Sequence, residues 1–306
     1  MEICMEQSIS IIGRNKFKSA FEKIMNIIFL ICGLVAVICV ICMTVYVVVS
    51  GWPAIQKIGF FKFLFGQIWN PENSEFGILP MILASFIATF TAIIVALPVG
   101  VLVAVFLAKL TPGKLSAALR MLIDLLAGIP SVVYGLLGAI LIVPLIFRFQ
   151  GAAGLPTGGS LLAAVVLLII MILPTIISVS ETAIRAVPKQ YEDASLALGS
   201  TKLQSIFKVT VPAAKSGIVA GMVLGVGRAI GEAMAVMMVA GNAAIMPEFL
   251  KPVRLLTASI PIEWAYSSGL HREALYGIGL VLFIFIMIIN ITLNKVLKKG
   301  GAGDGK

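Results

Sequence analysis

Two residues of opposite charge stand four positions apart in a stretch that is otherwise apolar. Residues 225–238 read GVGRAIGEAMAVMM, with Arg228 and Glu232 as the charged pair. A charged side chain at the centre of a bilayer costs about 2.5–3.5 kcal/mol on insertion scales, so such residues mark functional sites. Residues four apart share a helical face, and we therefore expect both side chains to point the same way. A guanidinium is always charged and its N–H fork matches an oxyanion, so the pattern predicts an anion pathway lined by Arg228 and oriented by Glu232.

The alternative is a self-neutralising pair that only holds helices together. The order of the two residues weakens this alternative, because an acidic residue stabilises a helix better when it precedes the basic one. Gly225, Gly227 and Gly231 thin this helix and predict close packing against a neighbour. Asn242, at the outer end of the same apolar run, is a further candidate for the pathway.

The composition indicates which environment surrounds these charges. The chain has 306 residues, of which 60% are hydrophobic and 12% charged, with a mean hydropathy of +1.09. Soluble domains carry about 25% charged residues, so the sequence predicts an integral membrane protein. The net charge of +9 would suggest nucleic acid in a soluble protein. Basic cytoplasmic loops explain it here, and we expect no nucleic-acid partner.

Six apolar runs are long enough to cross a bilayer, which takes about 20 residues. The first is too long for the apolar region of a signal peptide and predicts a retained anchor helix. Pro98, Pro130, Pro144 and Pro174 fall inside the runs, where they kink helices or border a pathway. The predicted spans are 24–50, 78–108, 121–147, 161–184, 216–241 and 274–294.

Most of the 23 lysine and arginine residues fall in the N-terminal tail, the 109–120 loop, the 185–215 segment and the C-terminal tail. The positive-inside rule then places both termini in the cytoplasm. Three of the four cysteines lie in one apolar run and all four lie away from the single histidine, so we expect no metal site.

The segment 185–215 reads RAVPKQYEDASLALGSTKLQSIFKVTVPAAK and predicts two short helices outside the membrane. Pro188 suits a helix start and Gly199 a left-handed C-cap. Thr201 and Gln204 match a capping box that opens the second helix, and Pro212 ends it. The apolar face of the first helix either rests on the protein's own helix ends or docks on a cytoplasmic partner.

The spacing of this segment resembles the EAA loop of ABC-importer permeases. Asp193-Ala194-Ser195 is followed after three residues by Gly199 and after nine more by Val-Thr-Val-Pro212. The resemblance implies an EAA loop at 188–212 that contacts an ATPase. It assigns this coupling role to Glu192, Asp193, Ala194, Ser195, Gly199 and Pro212. The chain has no GxxxxGK[ST] motif, so we expect ATP to be used by a partner subunit, with no cofactor and no catalysis in this chain.

Four further motifs resemble PstC-type phosphate permeases: GRAIGEAMAVMMVAGN at 227–242, IPSVVYGLLG at 129–138, WNPENSEFGILP at 69–80 and IPIEWA at 260–265. The resemblance implies an all-α membrane protein with six transmembrane helices in the MetI-like architecture of type I importers. It implies transport roles for Arg228 and Glu232. Its partners would be a PstA-like permease, two PstB-like ATPase subunits and a PstS-like extracytoplasmic binding protein.

The expected division of the chain follows from the spans and this resemblance. Residues 1–50 form the cytoplasmic tail and first helix, 51–76 an extracytoplasmic segment, 77–294 the permease domain, and 295–306 a cytoplasmic tail. Three alternatives stay open: a permease for sulfate, molybdate or phosphonate, a proton-coupled secondary carrier, and a mainly regulatory subunit that reports to a sensor kinase. Uptake by a carrier would collapse with an uncoupler and need no ATPase.

Overall fold

The computed structural model describes residues 16–152, 154 and 158–301, most of which are helical. The residues before 16, with Cys4 and Arg14, and the residues after 301 lie outside the described residues. The helices are α1 (Lys16–Ile58), α2 (Phe60–Phe65), α3 (Leu79–Val105), α4 (Gly113–Gly128), α5 (Ser131–Leu137), α6 (Val143–Ala152), α7 (Leu161–Ala186), α8 (Lys189–Ala197), α9 (Lys202–Ser205), α10 (Val211–Ala213), α11 (Lys215–Gly231), α12 (Met234–Val239), α13 (Leu256–Glu263) and α14 (Gly269–Gly301). Three π-helical turns, at Phe106–Leu110, Gly138–Ile142 and Ile206–Thr210, and one 3₁₀ turn, at Trp264–Tyr266, join some of them.

A short antiparallel hairpin joins α2 to α3. Its strands are β1 (Trp69–Asn70) and β2 (Glu75–Phe76), with Trp69 paired to Phe76. The chain divides into two units at Ser50. The first unit contains α1 up to Val49, and the second contains the remaining helices and the hairpin. Because α1 continues to Ile58, the beginning of the predicted 51–76 segment is helical rather than a loop.

In the part of the chain that the structure describes, five helical stretches are long and apolar enough to cross a membrane. A sixth span results if the bent pair Lys202–Ala213 and Lys215–Gly231, which meet at 67°, counts as one. This agrees with the predicted set of six, although two of the predicted spans differ from the observed helices.

The third predicted span, 121–147, is wrong at its start. Residues up to Gly128 belong to the separate helix α4, and the span begins at Ser131 and runs to Ala152. The residue before a proline is disfavoured in helical conformation, and Ile129 adopts an extended backbone in front of Pro130. Pro130 therefore separates two helices and is not inside one, whereas Pro98 and Pro174 lie within α3 and α7.

The fifth predicted span, 216–241, is not one helix. Helix α11 ends at Gly231, and α12 begins at Met234 after a break at Glu232 and Ala233. At its other end, the second helix of the cytoplasmic segment continues past Pro212 to Ala213, and the sharp bend follows there. A proline at the first turn of a helix is tolerated because its missing N–H would be unpaired, so Pro212 opens α10 and does not end the helix before it.

Helix α7 lies at the centre of the second unit, between α3 and α11. The residues of α3 that repeat every four positions are small and buried, so they allow the backbones to approach closely. They are Ala84, Ala88, Ala92, Ala96, Gly100 and Ala104. Helix α11 presents a second stripe, of glycines, which faces α7 at Ala183, Val179 and Ile176. Two smooth surfaces thereby hold α7 between them.

Candidate functional site

Arg228, on α11, has little contact with polar protein groups. Its side chain is half-buried, and Nη1 donates to the Thr175 hydroxyl oxygen on α7 at 3.3 Å. A guanidinium has five N–H donors. Among the residues that the structure describes, no carboxylate pairs with Arg228, and Thr175 is its one hydrogen-bond acceptor. The arginine is thus a cation in a membrane helix without a counter-charge from the described part of its own chain.

Glu232 does not orient Arg228, and the prediction of a shared helical face is wrong. The helix ends between the two residues, so the four-residue spacing no longer places them on one side. Glu232 Oε1 instead accepts the backbone N–H of Ala235 at 2.9 Å, in the first turn of α12. Negative charge is favoured at a helix N-terminus, so Glu232 acts as a cap. Its backbone carbonyl accepts from the Thr257 hydroxyl at 2.7 Å.

The surface beside Arg228 is open. A Cβ added at Gly227 or Gly231 would meet no atom within 4 Å, so the described part of this chain does not supply the predicted close packing at these two glycines. It is confirmed for Gly225, where an added Cβ would lie 3.0 Å from the Ile176 side chain. Arg228 therefore borders a smooth flank of α11 that the described part of this chain leaves uncovered.

Asn242 occupies a turn at the end of α12. Its φ of 59° is in the left-handed region, which asparagine tolerates better than most residues. Its Nδ2 donates to the Met237 carbonyl at 2.7 Å and so satisfies a backbone acceptor at the helix end. The backbone carbonyl of Asn242 accepts a hydrogen bond from Arg254 Nε at 2.9 Å. These contacts give Asn242 a structural role in the loop after α12, and its place on the pathway stays a prediction.

A buried glutamate joins the hairpin, the segment before α13 and the start of α14. Glu263, at the end of α13, is only 4% exposed and accepts hydrogen bonds from Trp69, Arg254 and His271. The Trp69 Nε1 donates at 2.9 Å and the His271 Nε2 lies at 2.7 Å. Beside it, burial together with the charge of Glu263 raises the pKa of the Tyr266 phenol above its ordinary value. The cluster fixes the hairpin against the loop that leads to α14.

A second buried glutamate lies near the C-terminal end of α7. Glu181, 2% exposed, accepts from Arg120 on α4 at 2.5 Å and from Arg185 at 2.9 Å. The hydrogen bond to Glu181 raises the pKa of Arg120 above its ordinary value. Arg185 also donates to the Leu107 carbonyl at 2.8 Å. Glu181 and Arg185 form an i, i+4 ion pair on α7, and the nearby Asp124 accepts a hydrogen bond from Ser178 at 3.4 Å.

The segment 185–215 folds locally as its residues predict. α8 begins directly after Pro188, and Gly199 ends the turn that follows it with a φ of 87°. Thr201 and Gln204 form a reciprocal capping box at the start of α9. The Ser195 and Ser200 hydroxyls lie 2.7 Å apart and close the turn.

Apolar side chains of this segment point away from the chain. Leu198 is 90% exposed, and none of the residues in α8 is buried. The other exposed apolar residues here are Tyr191, Leu196, Leu203 and Phe207. Glu192 pairs with Lys109 at 2.7 Å and ties α8 to the turn that follows α3. The apolar face is therefore held in place, yet the described part of the chain leaves it uncovered.

Comparison with known proteins agrees with this architecture. Residues 96–298 match the family described as binding-protein-dependent transport system inner membrane component. The chain belongs to this family. It is 36% identical over 275 residues to the probable ABC transporter permease protein YqgH of Bacillus subtilis, covering 86% of this chain and 88% of that protein. It is 33% identical over 278 residues to the phosphate transport system permease protein PstC of Pasteurella multocida, covering 83% and 86% respectively.

Solved structures of other transporters share the fold. The methionine ABC transporter MetNI in an inward-facing conformation aligns with a TM-score of 0.53 at 21% identity, covering 73% of this chain and 94% of that one. A bacterial alginate ABC transporter aligns with a TM-score of 0.58 at 13% identity, covering 90% and 95%. The chain is thus a non-catalytic, multi-pass inner membrane permease with a MetI-like fold, and the secondary-carrier alternative is not favoured.

Two features of this permease were missed in the sequence. Trp69 and Glu263 are 194 positions apart in the chain, yet Trp69 donates a hydrogen bond to the Glu263 carboxylate. Thr175 gave no signal of its own, because a threonine in an apolar helix is ordinary. The neighbouring Pro174 was the available sign, because a proline inside a membrane helix can border a pathway and Thr175 directly follows it.

Proposed function

We propose that this permease forms half of the passage of an ATP-driven importer of inorganic phosphate. The proposal depends on one observation, the half-buried Arg228 that no carboxylate of the described chain neutralises. A buried charge needs a partner, and an arginine fork suits the oxygens of a phosphate ion. Two proteins named phosphate transport system permease protein PstC are each 33% identical to this chain, and this similarity supports the choice of cargo.

The second half of the passage is a PstA-like permease. The open flank of α11 at Gly227 and Gly231 lies next to Arg228, and a partner helix that packed there would enclose the guanidinium between two subunits. A PstS-like protein delivers phosphate at the outer end, where α13 and the hairpin form an ordered surface around Glu263. Both termini lie in the cytoplasm of a bacterial cell.

Two PstB-like ATPase subunits drive the cycle from the cytoplasmic side. The exposed apolar face of α8 and its turn is the contact, and the residues of the loop that position it are Glu192, Asp193, Ala194, Ser195, Gly199 and Pro212. Motion of α8 reaches the membrane helices through the Lys109–Glu192 pair, which connects it to the end of α3. ATP is bound and used by the ATPase subunits, and this chain needs no cofactor.

Replacement of Arg228 tests the proposal. We expect Arg228→Gln to abolish uptake of labelled phosphate by the assembled transporter while ATP turnover and assembly persist, because glutamine keeps polar bulk and removes the charge. Arg148→Gln is the matched control, since Arg148 is exposed on α6 and makes no hydrogen bond among the described residues. Phosphate uptake by Arg228→Gln at the rate of the unmodified protein would refute the role of Arg228.

A further inference from the structure

We propose that Thr175 is a second ligand of the transported oxyanion and acts together with Arg228. This inference rests on the proposed function, because it extends the same site from one side chain on α11 to a pair that includes α7. It follows from how the Thr175 hydroxyl is used in the structure.

The Thr175 hydroxyl is used differently from those of Thr44, Thr182 and Thr292. Threonine in a helix commonly donates to the carbonyl four residues earlier. Thr182, two turns further along α7, donates in this way to the Ser178 carbonyl at 2.8 Å, as do Thr44 and Thr292 on other helices. The Thr175 oxygen instead accepts from Arg228, and its hydroxyl hydrogen has no acceptor, backbone or side chain, among the residues that the structure describes.

The contact between the two side chains is suited to a site that opens for a ligand. At 3.3 Å it is longer than the usual N–H···O distance of about 2.9–3.0 Å, so it constrains Arg228 only weakly. An anion that enters between them gains the guanidinium donors and the unused hydroxyl hydrogen at once. Transport also requires binding that is weak enough to be reversed, and one cation with a neutral hydroxyl meets this need better than two cations would.

The pair is complementary to phosphate in a way that Arg228 alone is not. An arginine only donates hydrogen bonds, whereas a hydroxyl both donates and accepts. Inorganic phosphate near neutral pH retains at least one O–H group, which needs an acceptor. Glu232 uses Oε1 at the N-terminus of α12, whereas the Thr175 hydroxyl faces Arg228 and supplies an acceptor at the site. Sulfate carries no such hydrogen, and the hydroxyl therefore favours the protonated oxyanion.

Two substitutions at Thr175 separate its hydroxyl from its shape. In the assembled transporter, reconstituted with its ATPase and with phosphate-loaded binding protein, we expect Thr175→Val to lower the initial rate of phosphate uptake about tenfold or more. That is the loss expected for one hydrogen bond to a charged group. Thr175→Ser should retain most of the rate, because it keeps the hydroxyl. Thr182→Val is the control on the same helix, and its uptake should stay near that of the unmodified protein.

The same measurements show whether Thr175 acts at the site of Arg228. Combining Thr175→Val with Arg228→Lys should slow uptake by less than the product of the two separate effects, because both changes weaken one binding site. Wild-type uptake by Thr175→Val, or an equal loss in Thr175→Ser, would overturn the inference. If Arg228→Gln is inactive while Thr175→Val is fully active, only this inference fails. If Arg228→Gln transports normally, the proposed function fails with it.

Discussion

At the scale of single residues, the charges of this permease fall into two kinds. Glu181 and Glu263 are almost fully buried, and each is surrounded by two or more donors that satisfy its carboxylate. Buried charges of this kind are tolerated because they are paired. Arg228 has no such partner in the part of the chain that the structure describes. The contrast supports structural roles for the two glutamates and a ligand-binding role for the arginine.

The Glu263 cluster yields a prediction about stability. Glu263→Ala should destabilise the purified protein by about 3–5 kcal/mol, because it leaves the half-buried Arg254 without a counter-charge. The matched control is Glu248→Ala, which removes an exposed ion pair with Lys251 and should cost about 1 kcal/mol or less. Thermal unfolding in detergent measures both variants. Equal, small shifts of the midpoint would show that the cluster does not hold the outer region together.

At the scale of helices, close packing depends on residues without side chains. A Cβ added at Gly217 of α11 would lie 2.2 Å from the Ala183 Cβ on α7, which is too close for two non-bonded carbon atoms. The same stripe continues at Gly221 and Gly225, where added Cβ atoms would meet α7 at 3.3 and 3.0 Å. The position of α11, and with it the position of Arg228 opposite Thr175, therefore depends on this stripe.

Gly217→Ala should consequently force α11 away from α7 and destabilise the protein by about 1–3 kcal/mol, the usual cost of overpacking. Gly33→Ala is its control, because Gly33 lies inside α1 with no atom within 4 Å of an added Cβ, and alanine is the better helix former. Thermal unfolding compares the two. The packing argument fails if Gly217→Ala unfolds at the same temperature as the unmodified protein.

At the scale of the whole molecule, the two ends of α7 carry different surfaces. Its N-terminal end is bound to the loop before α13, where Leu161 and Leu162 donate to the carbonyls of Lys251 and Phe249. Its C-terminal end leads into α8 with the exposed apolar face around Leu198. A permease subunit needs two such surfaces, because binding protein and ATPase approach from opposite sides of the membrane.

A charge at Leu198 tests which surface meets the ATPase. Leu198 is almost fully exposed, so Leu198→Asp should leave folding unchanged while it disrupts co-purification with the ATPase and abolishes ATP-driven uptake. Met246→Asp places the same charge on an exposed residue of the segment between α12 and α13, and ATPase binding should persist. Retention of the ATPase by Leu198→Asp would place the contact elsewhere on the chain.

The sequence by itself determined most of the apolar spans, the left-handed Gly199 and the capping box of Thr201 and Gln204. Each of these follows from composition or from bonds between residues a few positions apart. Only the tertiary structure decided that Arg228 meets Thr175, 53 positions away, that Glu232 caps a second helix, and that Trp69 reaches Glu263. The physical reason is that a side chain's partners depend on helix breaks and helix packing, and both are set by contacts between residues far apart in the chain.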